Sequence, residues 1–184
     1  ESLGGANTHT EISGIADYKF KTEEECLDQV KKLIDKFSEK ESAGFNRSKA
    51  KVPKADPKEL RSIVPTDSTK PYDMVNVIER IVDNSEFEQY KEDFGKTILC
   101  GYGRIDGWAV GIVANQRKIV KNKKGEMQMG GVIYSDSADK AARFIMDCNQ
   151  TGLPIVFFQD VQGFMVGRDA EQSGIIRSGA KLVN

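Results

Sequence analysis

Two β-prone runs, residues 97–105 and Trp108–Asn115, are separated only by Asp106-Gly107. A two-residue hairpin turn needs φ > 0 at its central positions, which Gly adopts freely and Asp tolerates, so this dipeptide between β runs predicts an antiparallel hairpin. Strict alternation is blurred in the second run because both of its faces are apolar or small. The sheet is therefore expected to be covered on both sides.

The covers are readable on either side of the hairpin. Before it, Pro71 leads a helical stretch with Met74, Val77, Ile78, Ile81 and Val82 inward, expected to end at Asp83-Asn84. A short segment with Phe87, Tyr90 and Phe94 then closes at Gly95. After the hairpin, Ser135-Asp136-Ser137 is expected to cap a helix with Ala138, Ala141, Ala142, Ile145 and Cys148 on one stripe, stopping near Thr151-Gly152. Pro154 opens a strand over residues 155–159, expected to be buried. The loop Asp160-Val161-Gln162-Gly163-Phe164-Met165-Val166-Gly167 leads into a helix capped by Asp169 with Gln172 at its third position. Strand, strand, helix, strand, glycine-bearing loop, helix is an α/β arrangement with short crossovers.

The first part of the chain is punctuated differently. Thr22 ahead of Glu23, Glu24 and Glu25 is a helix-start signal, and Cys26, Val30, Leu33, Ile34 and Phe37 form one helical face to about Glu39. Residues 40–71 hold four of the five prolines and few large apolar residues, the composition of an extended, mobile linker between domains. The stretch 116–131, with Arg117, Lys118, Lys121, Lys123 and Lys124 against Glu126, reads as a solvated hairpin or as a basic collar for a phosphorylated ligand or acidic partner.

Charge and composition exclude several functions. Lys and Arg number 27 against 28 Asp and Glu, so nothing marks a nucleic-acid or anionic-lipid surface. No apolar run approaches the ~20 residues of a transmembrane helix. Cys26, Cys100 and Cys148 are far apart and read as reduced, buried thiols of an intracellular protein. The single His9 has no motif around it, and the metalloprotease, Walker A and dinucleotide-binding motifs are absent, so no metal site is expected. What remains is backbone chemistry. Gly163 and Gly167 lie between a strand and a helix start, where N–H groups can meet a developing oxyanion, worth roughly 3–4 kcal/mol per donor in acyl-transfer sites. The competing reading is a strand-to-helix turn that needs positive φ.

The same residues carry a resemblance. Leu3-Gly4-Gly5-Ala6, Thr8-His9, Ser13-Gly14, Tyr72-Asp73-Met74, Gly103-Arg104-Ile105, Val110-Gly111-Ile112-Val113-Ala114-Asn115, Gly163-Phe164-Met165-Val166-Gly167 and Gly174-Ile175-Ile176-Arg177-Ser178-Gly179-Ala180-Lys181 resemble, in order, the carboxyltransferase (β) subunit of biotin-dependent acyl-CoA carboxylases. The Gly-Phe-Met-Val-Gly-Arg-Asp string looks most like methylcrotonyl-CoA carboxylase. Ile63-Val64-Pro65 and Lys70-Pro71-Tyr72-Asp73 are as close to propionyl-CoA carboxylase. The basic insert 116–129 departs from that pattern.

The resemblance implies a crotonase-like α/β fold of stacked β-β-α turns. Residues 1–40 would be the tail of an N-terminal domain, 41–71 an interdomain linker and 72–184 the first part of a C-terminal domain. It implies carboxyl transfer from carboxybiotin to the α-carbon of an acyl-CoA through backbone oxyanion pockets. On the biotin side stand the Gly163 and Phe164 N–H groups, with Gly167 and Arg168 shaping the loop; Gly4, Gly5 and Ala6 fall on the acyl-CoA side. Biotin would arrive on a biotin carboxylase or biotin carboxyl carrier partner, the subunit would be a homo-oligomer, and the setting bacterial cytoplasm or mitochondrial matrix. The family's Gly-Gly-Ala oxyanion peptides fall outside the chain, so the chain alone is expected to be inactive. Two alternatives are a carboxyltransferase of a glutaconyl-CoA type decarboxylase and a non-catalytic assembly module.

Overall fold

The computed structural model describes residues 5–12, 16–34, 46–122 and 124–183. The chain divides into two compact units between Ala43 and Gly44. In the first, a π-helical turn, Thr8–Ile12, precedes helix α1 (Glu23–Ile34). The start signal works as expected: the Glu25 N–H donates to Thr22 Oγ1 at 3.2 Å, and the Glu25 carboxylate accepts from the Lys21 N–H at 3.0 Å. No residue of α1 is buried, and Cys26 is exposed, contrary to the buried thiol expected there. Phe37 and the expected extension of this helix to Glu39 lie outside the described residues.

The second unit runs through α2 (Leu60–Ile63), α3 (Met74–Glu79), β1 (Glu88–Gln89), β2 (Ile98–Ile105), β3 (Trp108–Asn115), β4 (Val120–Lys121), β5 (Met127–Gln128), β6 (Val132–Ile133), α4 (Ser135–Thr151), β7 (Ile155–Phe158), β8 (Gly163–Phe164), α5 (Arg168–Gln172) and α6 (Ile175–Val183). The hairpin is as predicted, with Ile105 opposite Trp108 and φ of +50° at Asp106 and +80° at Gly107. The main sheet has the order β1-β2-β3-β7, antiparallel except for the parallel β3–β7 pair. α4 makes the β3-to-β7 crossover.

Both faces of this sheet are covered. Leu99, Val110, Ile112 and Ala114 pack on one side against Met74, Val77, Ile78 and Val82; Ile98, Cys100 and Val113 pack on the other against Ala141, Phe144 and Cys148. The small-residue stripe of α4 lets it lie close to the strands. At Gly111 the approach is closest, since a Cβ there would stand 2.6 Å from Cys148 Sγ. Phe144 is fully buried between the rings of Tyr90 and Tyr102, 5.3 and 5.1 Å away.

Four local expectations change. Asp73, not Pro71, begins α3: its carboxylate accepts the Val75 N–H at 3.1 Å, and the helix stops at Arg80. The segment ending at Gly95 forms the short strand β1. At α4 the cap is Tyr134, whose N–H donates to Ser137 Oγ at 3.0 Å. β7 is half-buried, with Phe157 58% exposed, because it has a sheet neighbour on one side only.

Residues 46–71 are not loose where described. Ser48 N–H donates to Gly107 O at 2.9 Å and Ala109 N–H to Asn46 O at 2.9 Å. Leu60 and Ile63 pack on the α3 side of the sheet. Asp56 and Pro57 start a short turn that continues into α2, so Pro57 serves as a helix start and not only as a spacer.

Candidate functional site

The loop after β7 is tied down at three levels. Asp160 is held by its side chain, through Tyr72 Oη at 2.7 Å, and by its N–H, which donates to Asn115 Oδ1 at 3.1 Å. Gln162 N–H donates to Gly131 O at 2.7 Å. β8 then pairs in parallel with β6, Ile133 opposite Phe164, and Met165 N–H donates to Ile133 O at 2.8 Å. Successive N–H groups of a strand point to opposite edges. With the Met165 amide spent on β6, this alternation turns the Phe164 N–H away from β6 and the Gly163 N–H toward it, so of the two expected donors only that of Phe164 is turned off its strand partner.

Gly163 and Gly167 have φ of +145° and +121°, and a Cβ at either would meet nothing within 4 Å. The positive-φ turn is therefore real at both, and the space a side chain would take is open at both. The Phe164 ring lies on α6, where a Cβ at Gly179 would come within 2.8 Å of it. The expected helix cap moves: Gly167 precedes α5 and accepts the Glu171 N–H at 3.0 Å, while Asp169 lies inside the first turn. α5 has five residues, too few for a substantial helix dipole.

Gly167 and Arg168 line a cleft of about 720 Å³ together with Lys96, Gln128, Tyr134 and Asp136. Gly163 and Phe164 lie in β8, just before the cleft wall that begins at Met165. Gly5 and Ala6 belong to the first unit, and Gly4 lies outside the described residues. Among the described residues, no group of three or more His, Cys, Asp or Glu side chains is arranged to hold a metal ion, and no helix is long and apolar enough to cross a membrane.

Two polar clusters, the first of them against the loop, have no motif in the sequence. Arg117, from the segment read as a solvated hairpin, is buried; its Nε lies 3.3 Å from Asp160 Oδ2 and its Nη2 donates to Ser68 O at 2.7 Å. Burial, with the Asp160 hydrogen bond, pushes the Tyr72 hydroxyl up to about 12. In the second cluster, buried Gln116 accepts the N–H groups of Met74, Arg117 and Lys118 and donates to Asp73 Oδ1 at 2.7 Å. Partial burial works against the Asp73 carboxylate, but hydrogen bonds from Lys118, Gln116 and the Val75 N–H outweigh it and lower its pKa. The exposure expected of 116–131 is found at 118–119 and over most of 121–129, with Gln128 of the β4–β5 hairpin buried.

Comparison with known proteins decides the family. The carboxyl transferase domain matches residues 1–184. The chain belongs to the carboxyl transferase family. This carboxyl transferase chain is 37% identical over 183 residues to the mitochondrial methylcrotonoyl-CoA carboxylase beta chain of Dictyostelium discoideum, covering 100% of the chain and 29% of that protein. It is 40% identical over 187 residues to the propionyl-CoA carboxylase carboxyltransferase subunit of Haloferax mediterranei, covering 100% of the chain and 34% of that protein. Among solved structures, the transcarboxylase 12S hexamer core with hydrolysed methylmalonyl-coenzyme A matches at TM-score 0.61 and 34% identity, over 97% of the chain and 34% of that structure. The carboxyl transferase chain thus spans about a third of the length of these relatives. Its fold is the crotonase-like α/β fold of carboxyltransferase β subunits.

Proposed function

We propose that the protein carrying this chain is the carboxyltransferase component of a biotin-dependent acyl-CoA carboxylase, acting on a methylcrotonyl- or propionyl-CoA-like thioester. Residues 1–40 close one carboxyltransferase domain, 41–71 lead into the second, on which their described part, 46–71, packs, and 72–184 open that second domain, which meets biotin. What supports this reading is the Phe164 N–H, which the strand pattern turns away from β6, beside two glycines whose side-chain positions are open. Those features fit biotin, whose ureido oxygen needs backbone donors and a path without side chains. Bound biotin supplies the carboxyl group on its N1. The chain's own part is to hold the Phe164 N–H where negative charge develops on that oxygen and, through Gly167 and Arg168, to shape the cleft wall. Preorganised donors of this kind stabilise the transition state more than the ground state.

Gly4, Gly5 and Ala6 belong in this reading to the acyl-CoA side. Biotin arrives on a separate carboxylase or carrier partner, and the subunit works as a homo-oligomer; the similar transcarboxylase 12S core is described as a hexamer assembly. The test uses the full-length subunit with free biotin and a malonyl-type CoA ester. Gly163→Val is expected to lower carboxyl transfer by 100-fold or more with assembly and acyl-CoA affinity intact. Full activity in that variant overturns the oxyanion role. With the biotin carboxylase partner and ATP, net carboxylation is expected, and decarboxylation alone would favour the glutaconyl-CoA type reading.

A further inference from the structure

We infer that Asp160 is a positioning residue for the Gly163–Phe164 loop, set by Tyr72 and Arg117. The inference rests on the proposed reading of that loop.

Asp160 leaves β7 three residues ahead of Gly163, so an error in its placement is carried directly into the Phe164 amide. Its Oδ2 faces two partners from distant parts of the chain: it accepts from Tyr72 Oη at 2.7 Å, just ahead of α3, and forms an ion pair, without a hydrogen bond, with Arg117 Nε at 3.3 Å, just after β3. Its N–H is bound to Asn115 Oδ1, at the end of β3. The segment entering α3, the end of β3 and the loop therefore meet at one residue.

Arg117 acts on the loop by a second route. Gly130 and Gly131 wrap it so closely that a Cβ at Gly130 would stand 2.1 Å from Arg117 O, and one at Gly131 would stand 2.1 Å from Nη1. Gly131 O in turn accepts the Gln162 N–H at 2.7 Å, and β6, which pairs with β8, begins at the next residue. The same buried guanidinium thus sets the loop through the side chain of Asp160 and through the main chain of Gly131. Asp160 is its only carboxylate partner among the described residues. A buried cation with one carboxylate strongly prefers the arrangement that keeps them paired. Asp160 spends its carboxylate on Tyr72 and Arg117, so it acts through the loop and not on substrate.

The experiment uses the full-length protein with its biotin-bearing partner and compares Asp160→Asn and Tyr72→Phe with Gly163→Val. Asp160→Asn is nearly isosteric, and Tyr72→Phe removes only the hydroxyl, so the two cover each other against loss of folding. Per folded molecule, each is expected to lower kcat for carboxyl transfer about 10–100-fold, the range seen when a supporting shell is lost, with KM for the acyl-CoA within twofold. Amide exchange at Gln162 and Met165 is expected to speed up at least tenfold while the β2–β3 amides keep their rates. Wild-type kcat and unchanged loop exchange in both variants overturn the inference. If Gly163→Val still abolishes transfer in that case, the proposed reading survives without it. Wild-type kcat in all three variants removes both.

Discussion

At the scale of single residues, the Tyr72 hydroxyl links pH to stability. Its pKa is pushed up from 10.0 to about 12, so between these values the folded protein keeps a proton that the unfolded chain gives up. Stability held fully below pH 10 is therefore lost as pH rises toward 12. Burial pushes the Cys100 thiol up to about 12 as well, so wild-type stability falls there for two reasons, and the comparison must be made against a variant. Tyr72→Phe is expected to cost about 1–2 kcal/mol at pH 8, a hydrogen bond to a carboxylate discounted for partial exposure, and close to nothing by pH 12. Urea unfolding of the pair at several pH values checks this, and a gap that stays constant with pH contradicts it. The residue scale also shows why some of the site was illegible. Asp106-Gly107 carries its meaning in two adjacent letters and predicts its own turn. Tyr72 and Asp160 are 88 residues apart, and Arg117 looked like one more charge in a basic run, because nothing local says that Gly130 and Gly131 will fold over it.

At the scale of elements, legibility followed periodicity. α4 was readable because its small residues recur on one stripe, and the stripe is where it touches the sheet. Asp169 and Gln172 have the spacing of one capped helix, whereas two short helical pieces follow Gly167. The positive φ at Gly167 and Gly174 breaks the run at both ends of α5, and no side-chain pattern records that. β7 looked like a buried strand because its residues are apolar, whereas burial depends on neighbours. The α4–sheet contact yields a test. Gly111→Ala places a methyl 2.6 Å from Cys148 Sγ, with the Phe144 ring at 3.2 Å, so helix and sheet must separate or the thiol must turn. The expected loss is about 1–3 kcal/mol, typical of overpacking. The double variant Gly111→Ala, Cys148→Ala should recover part of it, which chemical denaturation will show; no recovery would mean that the strain lies elsewhere.

At the scale of the molecule, the segment that composition marks as a mobile linker is, over residues 46–71, a layer of the second unit. Composition misleads here because the segment binds mainly through its backbone, and backbone hydrogen bonds leave no trace in residue type. Asp83 holds the centre. This buried carboxylate accepts the Asp106 N–H at 2.9 Å, the Gly107 N–H at 2.8 Å and the Lys51 N–H at 3.1 Å, so it joins the turn of the main hairpin to the incoming segment. Ser85 Oγ adds a second tether, accepting the Ala55 N–H at 3.0 Å. Gly107 cannot easily find a replacement partner, since its φ of +80° and the Ser48 carbonyl 2.0 Å from any added Cβ fix its backbone where it is. Asp83→Ala removes the acceptor for three amides at once. Lys51 and Asp106 can turn to water, while the buried Gly107 amide is left unpaired. The expected cost is about 3 kcal/mol, composed of lost charge-assisted hydrogen bonds and one orphaned donor. Hydrogen exchange gives the sharper outcome. In the wild type, the amides of Lys51 and Ala55 are expected to be protected like those of the sheet edge; in Asp83→Ala, Lys51, Ser48 and Gly107 should exchange together at least tenfold faster, with β2–β3 amides slowed only by what global stability remains. Exchange of Lys51 and Ala55 at unprotected rates in the wild type would return residues 46–71 to the mobile linker that their composition suggests.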